Sequence, residues 1–206
     1  LEVDEKAWVP ATLTNDGKTV RASIRLKGMG AEHWKDEHAW SFKVNIKGGD
    51  TLLGMKRFAL QGPWTRTFMN EWYWHKLLRH SGLIAQRFDF VEVTLNGKRL
   101  PIYALEENYE KRLIENNNLR EGPVFIARLE RFGETEPSST NSGKSIKRFR
   151  THYLTLKAID FYQPNKYKQN PEFMKLVQAA ESGIEGYRQG DLPFSKVFDI
   201  NKMGKL

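Results

Sequence analysis

The chain has 206 residues, no cysteine and a formal net charge of +8. That length allows one domain or slightly more with a substantial core, and the lack of cysteine excludes disulfides and thiolate metal sites. No apolar run approaches the roughly 20 residues of a membrane-spanning helix. The excess of Lys and Arg favours an anionic partner, such as phosphate, nucleic acid or an envelope polymer, without choosing among them.

The first 50 residues predict antiparallel strands. Asn15-Asp16-Gly17 is a turn sequence that tolerates positive φ, and alternating residues flank it on both sides. The following strand places apolar residues 20, 22, 24 and 26 on one face and residues 21, 23, 25 and 27 on the other. A third strand over residues 40–47 places Lys43 and Lys47 on its polar face.

The middle of the chain predicts one helix followed by a second hairpin. The helix covers about residues 68–80, with Thr67 or Asn70 as its N-cap and Gly82 ending it. The hairpin covers residues 88–108, with Asn96-Gly97 at its tip. Several strands, a helix and a hairpin in this order are typical of the N-lobe of a protein kinase.

The C-terminal part predicts helices on either side of a polar insert. Helices are expected over about residues 109–117, 152–162 and 170–187, the last with Asn170 as cap and Pro171 in its first turn. Residues 133–144 contain almost nothing apolar, so we expect them to be exposed and mobile. Asp199 precedes a short apolar segment as the expected N-cap of a helix.

An acidic residue lies among the apolar residues of the predicted helix. Helical spacing places Phe68, Glu71, Trp74, His75 and Leu78 on one face, which a helix normally buries. A buried carboxylate is costly unless it meets a cation, and kinases hold a strand lysine with a helix glutamate. Lys43 is therefore the expected partner of Glu71, with Lys47 as the alternative, unless Glu71 only complements the helix dipole.

Six segments in order carry a family resemblance: "VRASIRLKG", "AWSFKVNIKGG", "LLGMKRFALQGP", "NEWYWHKLL", "VEVTLNGKRLPIYALEEN" and "LIENNNLREGPVF". They resemble the spore-coat protein H (CotH) kinase-like family, and more closely its bacterial branch outside the spore-coat proteins. The resemblance covers about residues 8–125 and returns at "KVFDINKM". The resemblance implies an atypical kinase-like fold that transfers the γ-phosphate of ATP to Ser or Thr of a protein substrate, with Mg²⁺ or Mn²⁺.

The resemblance also assigns roles to individual residues. Gly28 would begin the loop that covers the phosphates, Lys43 would contact phosphate, and Glu71 would orient that lysine. The strand over residues 104–107 would form the hinge beside the adenine, which makes Leu105, Glu106 and Glu107 nucleotide-binding residues. No metal ligand is assigned, and a bacterial cell-envelope or extracytoplasmic location is favoured.

This chain departs from the spore-coat members at two points. It has "KGMGAEH" where they have an "RGNSS"-like loop, and Ala39-Trp40 where they have two lysines. The family's catalytic and metal-binding aspartates lie beyond "FDINKM", so the resemblance implies a nucleotide-facing part that is inactive by itself. The first residue is Leu1 rather than Met, which leads us to expect a piece of a longer protein.

The expected fold is therefore α+β, an antiparallel N-lobe-like sheet with one main helix, followed by helical segments. Residues 1–127 would hold the sheet and helix, residues 128–150 the polar insert, and residues 151–206 the helical start of a second lobe. One alternative is a non-catalytic scaffold of the same fold. Another is a basic module in which "KSIKRFR" binds a polyanion, with Phe149 and Tyr153 stacking on bases; we do not expect nucleic acid as the partner, because the charge is confined to one loop.

Overall fold

The computed structural model describes residues 7–27, 40–127, 159–161 and 164–205. The fold is α+β, as predicted, with an antiparallel N-lobe-like sheet and one main helix followed by helical segments. The strands are β1 (Val9–Asn15), β2 (Lys18–Leu26), β3 (Phe42–Ile46), β4 (Arg57–Gln61), β5 (Phe88–Leu95), β6 (Lys98–Glu107), β7 (Phe125–Ala127) and β8 (Ile159–Phe161). The helices are α1 (Met69–His80), α2 (Lys111–Asn116), α3 (Pro164–Tyr167), α4 (Pro171–Gln189), α5 (Phe194–Val197) and α6 (Ile200–Met203), and a 3₁₀ turn covers Pro63–Arg66.

The chain forms two compact units. One comprises residues 1–121 together with 205–206, and the other comprises residues 122–204. Within the described residues, no helix has both the length and the apolar character that crossing a bilayer requires.

The first unit contains a six-stranded antiparallel sheet with the order β1-β2-β3-β4-β6-β5. Its two hairpins turn at Asp16-Gly17 and at Asn96-Gly97, and all four residues have positive φ, between 47° and 80°. Two successive positive φ values are the geometry of the tight turns that match the twist of paired strands. Both predicted hairpins are confirmed, and no helix interrupts residues 91–104.

The two faces of this sheet differ in chemistry. One face carries a core of eight buried apolar residues: Val20, Ala22, Val44, Ile46, Leu52, Met55, Phe58 and Leu105. A cavity of about 210 Å³ lies on that face and is lined by both edge strands, β1 and β5, which shows that the sheet is curled. The other face carries basic and polar side chains from β2, β3, β4 and β6.

Helix α1 packs against β5. The ring of His75 stacks on that of Phe88, with 5.6 Å between their centroids. The helix ends as predicted, because Gly82 has φ of 69° and the N–H of Leu83 reaches the carbonyl of Leu78 at 2.9 Å. The predicted cap was wrong: the N-cap is Phe68, which makes no side-chain capping bond.

The buried face of α1 is narrower than the sequence predicts. Phe68 is 61% exposed and Trp74 is 45% exposed, so the prediction that both lie on the buried face was wrong. Phe68 precedes the helix with φ of 56°, and helical spacing does not apply to it. Trp74 lies three residues, or about 60° around the helix, from Glu71. The face that turns inward contains Glu71 and His75.

The second unit contains α4, and its start was predicted correctly. The side chain of Asn170 accepts a hydrogen bond of 3.1 Å from the N–H of Phe173, and Pro171 occupies the first turn. Asp199 likewise caps α6 by accepting from the N–H of Lys202 at 3.1 Å. In the first unit, the short helix α2 lies within the range predicted for it, residues 109–117.

One predicted helix of the second unit is corrected. Ile159–Phe161 was expected to be helical but forms β8, which pairs with β7 so that Phe161 lies opposite Phe125. The two rings are 5.9 Å apart, and this pairing joins segments that are distant in sequence. The rest of the predicted helix, residues 152–158, and the predicted mobile segment 133–144 lie outside the described residues.

Candidate functional site

A row of charged residues crosses the polar face of the sheet. Antiparallel register places Arg25 opposite Lys43, Lys43 opposite Ala59, and Ala59 opposite Glu106. Residues that are directly opposite in neighbouring strands point to the same face. Arg25, Lys43 and Glu106 therefore project from one surface of three different strands.

Small residues leave space above the sheet for long side chains. Ser41, Ala59 and Ala104 are 0%, 7% and 0% exposed. Long side chains of neighbouring residues can lie across them, which is how Lys27 and Glu106 meet although two strands lie between β2 and β6. This part of the sheet is therefore preorganised for a cluster of charged groups.

Glu106 is the centre of that cluster. Its carboxylate accepts hydrogen bonds from Lys27 Nζ at 2.9 Å, from Gln61 Nε2 at 2.6 Å and from Arg66 at 3.0 Å. Gln61 Oε1 in turn accepts from Lys27 Nζ at 2.6 Å. Burial alone would raise the pKa of the Glu106 carboxyl, but Lys27 and Arg66 outweigh it and the pKa lies below its ordinary value. Glu106 is therefore ionised at neutral pH.

Arg66 connects this centre to helix α1. Its Nε lies 3.3 Å from Glu71 Oε2, while its other nitrogen bonds Glu106. The Nε contact is an ion pair without hydrogen-bond geometry. Burial raises the pKa of the Glu71 carboxyl, and the charge of Arg66 opposes that effect only in part. Glu71 Oε1 also lies 3.9 Å from His75 Nε2, too far for a hydrogen bond.

The cation that meets Glu71 is therefore Arg66. Among the ion pairs of the described residues, none joins Glu71 to Lys43 or Lys47, so the predicted partner was wrong. The broader expectation, that Glu71 forms an ion pair with a basic residue, is correct. Glu71 also lies in the first turn of α1, where a negative charge complements the helix dipole.

Lys43 and Arg25 form a pair of like charges. They are direct cross-strand neighbours, an arrangement that is destabilising unless something offsets the repulsion. Within the part of the chain that the structure describes, neither is in an ion pair with an acidic group. Partial burial and the charge of Arg25 lower the pKa of the Lys43 ammonium group.

The environment of Arg25 also favours an anion. Its guanidinium lies 5.1 Å from the ring centre of Trp8, a cation–π contact that covers one side. Its Nε is buried and has no hydrogen-bond partner in the described structure. A buried donor without a partner costs free energy, which an oxygen-rich anion would recover.

Two of the predicted nucleotide-binding residues lie on the opposite face of the sheet. Leu105 belongs to the apolar core, and Glu107 is fully buried in an ion pair with Arg87. Their backbones lie in β6 between β4 and β5, and the N–H of Glu107 is bonded to the carbonyl of Arg87. The structure therefore places Glu106 on the same face as Lys43, and it places Leu105 and Glu107 on the opposite face. Gly28 lies outside the described residues.

Sequence reasoning gave no role to four residues that build the site: Arg25, Lys27, Gln61 and Arg66. Strand alternation already placed Arg25 and Lys27 on the face of Lys43, and their charge was a usable signal. Gln61 and Arg66 had no such signal. Arg66 lies in a 3₁₀ turn, and its direction depends on the positive φ of Thr67 and Phe68 that follow it.

The site contains no ready set of metal ligands within the described residues. No group of three or more His, Asp or Glu side chains in that part of the chain is arranged to hold a metal ion. The two carboxylates of the cluster, Glu71 and Glu106, are both engaged by Arg66. The described residues therefore suit an anion rather than a cation.

A comparison with protein-family models gives a match over most of the chain. A family model described as CotH kinase protein matches residues 24–189. No curated protein matches the chain. The matched segment contains β2 from its seventh position on, helix α1 and β6, and with them every charged residue of the cluster.

Proposed function

The chain belongs to the CotH kinase protein family, and from that premise we propose that its first unit binds ATP within a kinase-like domain. The proposed reaction of the whole domain is transfer of the γ-phosphate of ATP to Ser or Thr of a protein substrate. One observation carries the proposal: Arg25 and Lys43 lie side by side on the sheet and have no acidic partner among the described residues.

Such a pair suits a polyphosphate. Arginine offers a planar fork of N–H donors that matches phosphate oxygens, and lysine offers a mobile point charge. Phosphoryl transfer depends mainly on positioning and on electrostatic stabilisation of the phosphates, for which kinases use a strand lysine. Lys43 keeps its proposed role as a phosphate contact, and Arg25 joins it.

The other predicted site residues take narrower roles in the proposal. Glu71 holds Arg66, and through it the charged cluster, instead of holding Lys43 directly. Leu105 and Glu107 fix the position of β6 without contacting a nucleotide on the face of Lys43, because their side chains point to the other face. Gly28, which lies outside the described residues, keeps its proposed role at the start of the phosphate-covering loop.

The family implies Mg²⁺ or Mn²⁺ together with ATP. When bound, such an ion would supply positive charge to the phosphates. The described residues offer no ligand set for it. The cationic pair does fit the phosphates, since both side chains project from the same side of the sheet.

Isothermal titration calorimetry with the 206-residue chain tests the proposal. The ligands are ATP, adenosine and inorganic tripolyphosphate, each with and without Mg²⁺. We expect ATP to bind. Lys43→Met should weaken the affinity for ATP by about tenfold, which corresponds to a loss of about 1.4 kcal/mol of binding free energy. The matched control is Lys98→Met, which removes an exposed lysine at the end of a hairpin and should leave the affinity unchanged.

Two results would overturn the proposal. One is the failure of ATP to bind the wild-type chain at any concentration up to several millimolar. The other is equal binding of tripolyphosphate and ATP with a steep fall in salt and no effect of Lys43→Met, which is the behaviour of a general polyanion-binding module.

A further inference from the structure

Resting on the proposed function, we propose that Lys27 is a second phosphate-contacting lysine and that Glu106 is its positioning residue. In this arrangement a glutamate of the sheet, rather than the helix glutamate, holds a phosphate-binding lysine in place. The proposal rests on the hydrogen bonds around Glu106 and on the donors that they leave unused.

Lys27 has one donor to spare. An ammonium group has three N–H donors, and those of Lys27 reach Gln61 at 2.6 Å and Glu106 at 2.9 Å. Among the described residues no third acceptor bonds it. Two hydrogen bonds restrict the rotation of the ammonium group, so the third N–H has a fixed direction.

Lys27 shares the face and the neighbourhood of the proposed phosphate site. It lies two residues beyond Arg25 along the chain, which places both side chains on one face of the sheet. The N–H of Lys27 bonds the carbonyl of Ser41 at 2.8 Å, two positions beyond the pair of Arg25 and Lys43, so Lys27 and Lys43 are diagonal neighbours on one face. A polyphosphate that contacts Lys43 therefore lies within reach of Lys27.

The charge balance supports an anionic ligand. Four basic groups, Arg25, Lys27, Lys43 and Arg66, face two carboxylates, Glu71 and Glu106. Both carboxylates are already engaged by Arg66. The surplus of two positive charges on a partly buried surface calls for a ligand with at least two negative charges.

Glu106 is better placed than Glu71 to position a lysine. It belongs to β6, which is hydrogen-bonded to β4 on one side and β5 on the other. Its side chain is only 12% exposed and accepts bonds from Lys27, Gln61 and Arg66. Glu71 meets the cluster through a single ion pair that lacks hydrogen-bond geometry.

The position of Glu106 in β6 determines how a movement of helix α1 would act on the site. In kinases a movement of the helix separates its glutamate from the strand lysine. Here Glu106 belongs to the sheet and Lys27 directly follows β2, so a movement of α1 would break the contact between Arg66 and Glu71 and leave the lysine in place. Arg66 is the group that couples the helix to the site.

Calorimetry on the 206-residue chain, with ATP and adenosine as separate ligands, tests the proposal. We expect Lys27→Met and Glu106→Gln each to weaken the affinity for ATP by about tenfold or more. The affinity for adenosine should be unchanged in both variants. Glu106→Asp, which keeps the charge, should recover part of the loss, and Glu71→Gln should cost less than Glu106→Gln. Glu92→Gln removes an exposed carboxylate on β5 and is the matched control.

A second measurement protects the test against misfolding of a variant. In the wild-type chain, the side-chain ammonium signal of Lys27 in ¹⁵N NMR should shift with ATP and not with adenosine. A Lys27 signal that saturating ATP leaves unmoved would overturn the proposal, as would unchanged ATP binding by a folded Lys27→Met variant. A larger loss from Glu71→Gln than from Glu106→Gln would return the positioning role to the helix. If the wild type binds no ATP, the proposed function fails together with this inference.

Discussion

The carboxylate of Glu106 accepts a 2.9 Å hydrogen bond from the amino group of Lys27, although two strands lie between β2 and β6 in the sheet. The contact spans 79 positions of the sequence and crosses small residues, Ser41 and Ala59 among them. It joins the strand that precedes the predicted phosphate loop to the strand that contains the predicted hinge residues. The charged face is therefore held together by the sheet itself.

Loss of the Glu106 charge should destabilise the fold. We expect Glu106→Gln to lower the free energy of unfolding by about 3 kcal/mol at pH 7, because Lys27 and Arg66 would be left without their carboxylate. The pKa of Glu106 is depressed, so its contribution is present above the ordinary value of 4.5 and is lost as pH falls below it. Urea unfolding at pH 7 and pH 4 should show the difference shrinking, and equal stability at pH 7 would contradict this assignment.

Loss of the Glu71 charge should have the opposite effect on the free energy of unfolding. Burial raises the pKa of this carboxyl, so its ionised form costs folding free energy above that pKa. We expect Glu71→Gln to leave the stability at pH 7 unchanged or to raise it by less than about 1 kcal/mol, and the difference should vanish below pH 4.5. Thermal unfolding measures this, and a clear loss of stability at pH 7 would show that the ion pair with Arg66 outweighs burial.

His75 should make the fold sensitive to mild acid. It is buried, neither ring nitrogen has a hydrogen-bond partner in the described structure, and burial lowers its pKa. A base with a lowered pKa contributes stability above its ordinary value of 6.5, and this is lost as pH falls through 6.5. His75→Phe keeps the stacking on Phe88 and removes the two unpaired nitrogens.

We expect the His75→Phe variant to equal the wild type at pH 7.5 or exceed it by about 1 kcal/mol. At pH 5.5 its advantage should be larger. Chemical unfolding at the two pH values provides the comparison. An advantage that does not grow on acidification would mean that His75 is not the group that titrates.

The buried pair of Arg87 and Glu107 should be a major element of stability on the apolar face. The side chain of Glu107 is fully buried, and Arg87 bonds it and also the carbonyls of Leu53 and Gly54, at 3.2 and 3.1 Å. Arg87→Leu would leave a buried carboxylate without its cation, so we expect a loss of about 4 kcal/mol. Adding Glu107→Gln should recover part of that loss. Urea unfolding of both variants checks this, and a loss below 1 kcal/mol in Arg87→Leu would contradict it.

Local sequence signals predicted much of the fold. Asp16-Gly17 and Asn96-Gly97 specify tight turns because both residues of each pair tolerate positive φ. Gly82 ends α1, and Asn170 begins α4, for equally local reasons. The strand β8 was missed because it depends on pairing with β7, which no local pattern encodes.

The site was less predictable because its contacts are not local. Arg66 meets Glu71 because the chain reverses through Thr67 and Phe68, both at positive φ, which neither a β-branched nor an aromatic residue favours. No sequence pattern announces such a reversal. By contrast, strand alternation alone already implied that Leu105 and Glu107 face away from Glu106.

The most direct test of the central claim is a titration of the ¹⁵N-labelled 206-residue chain with Mg²⁺–ATP, followed by two-dimensional NMR. If the polar face of the sheet binds the phosphates, the largest changes should occur at Arg25, Lys27 and Lys43, with none at the hairpin tip Asn96-Gly97. Adenosine should not reproduce the changes at the three basic residues. Changes confined to the apolar cavity or to the second unit, with Arg25, Lys27 and Lys43 unmoved at saturation, would contradict the account.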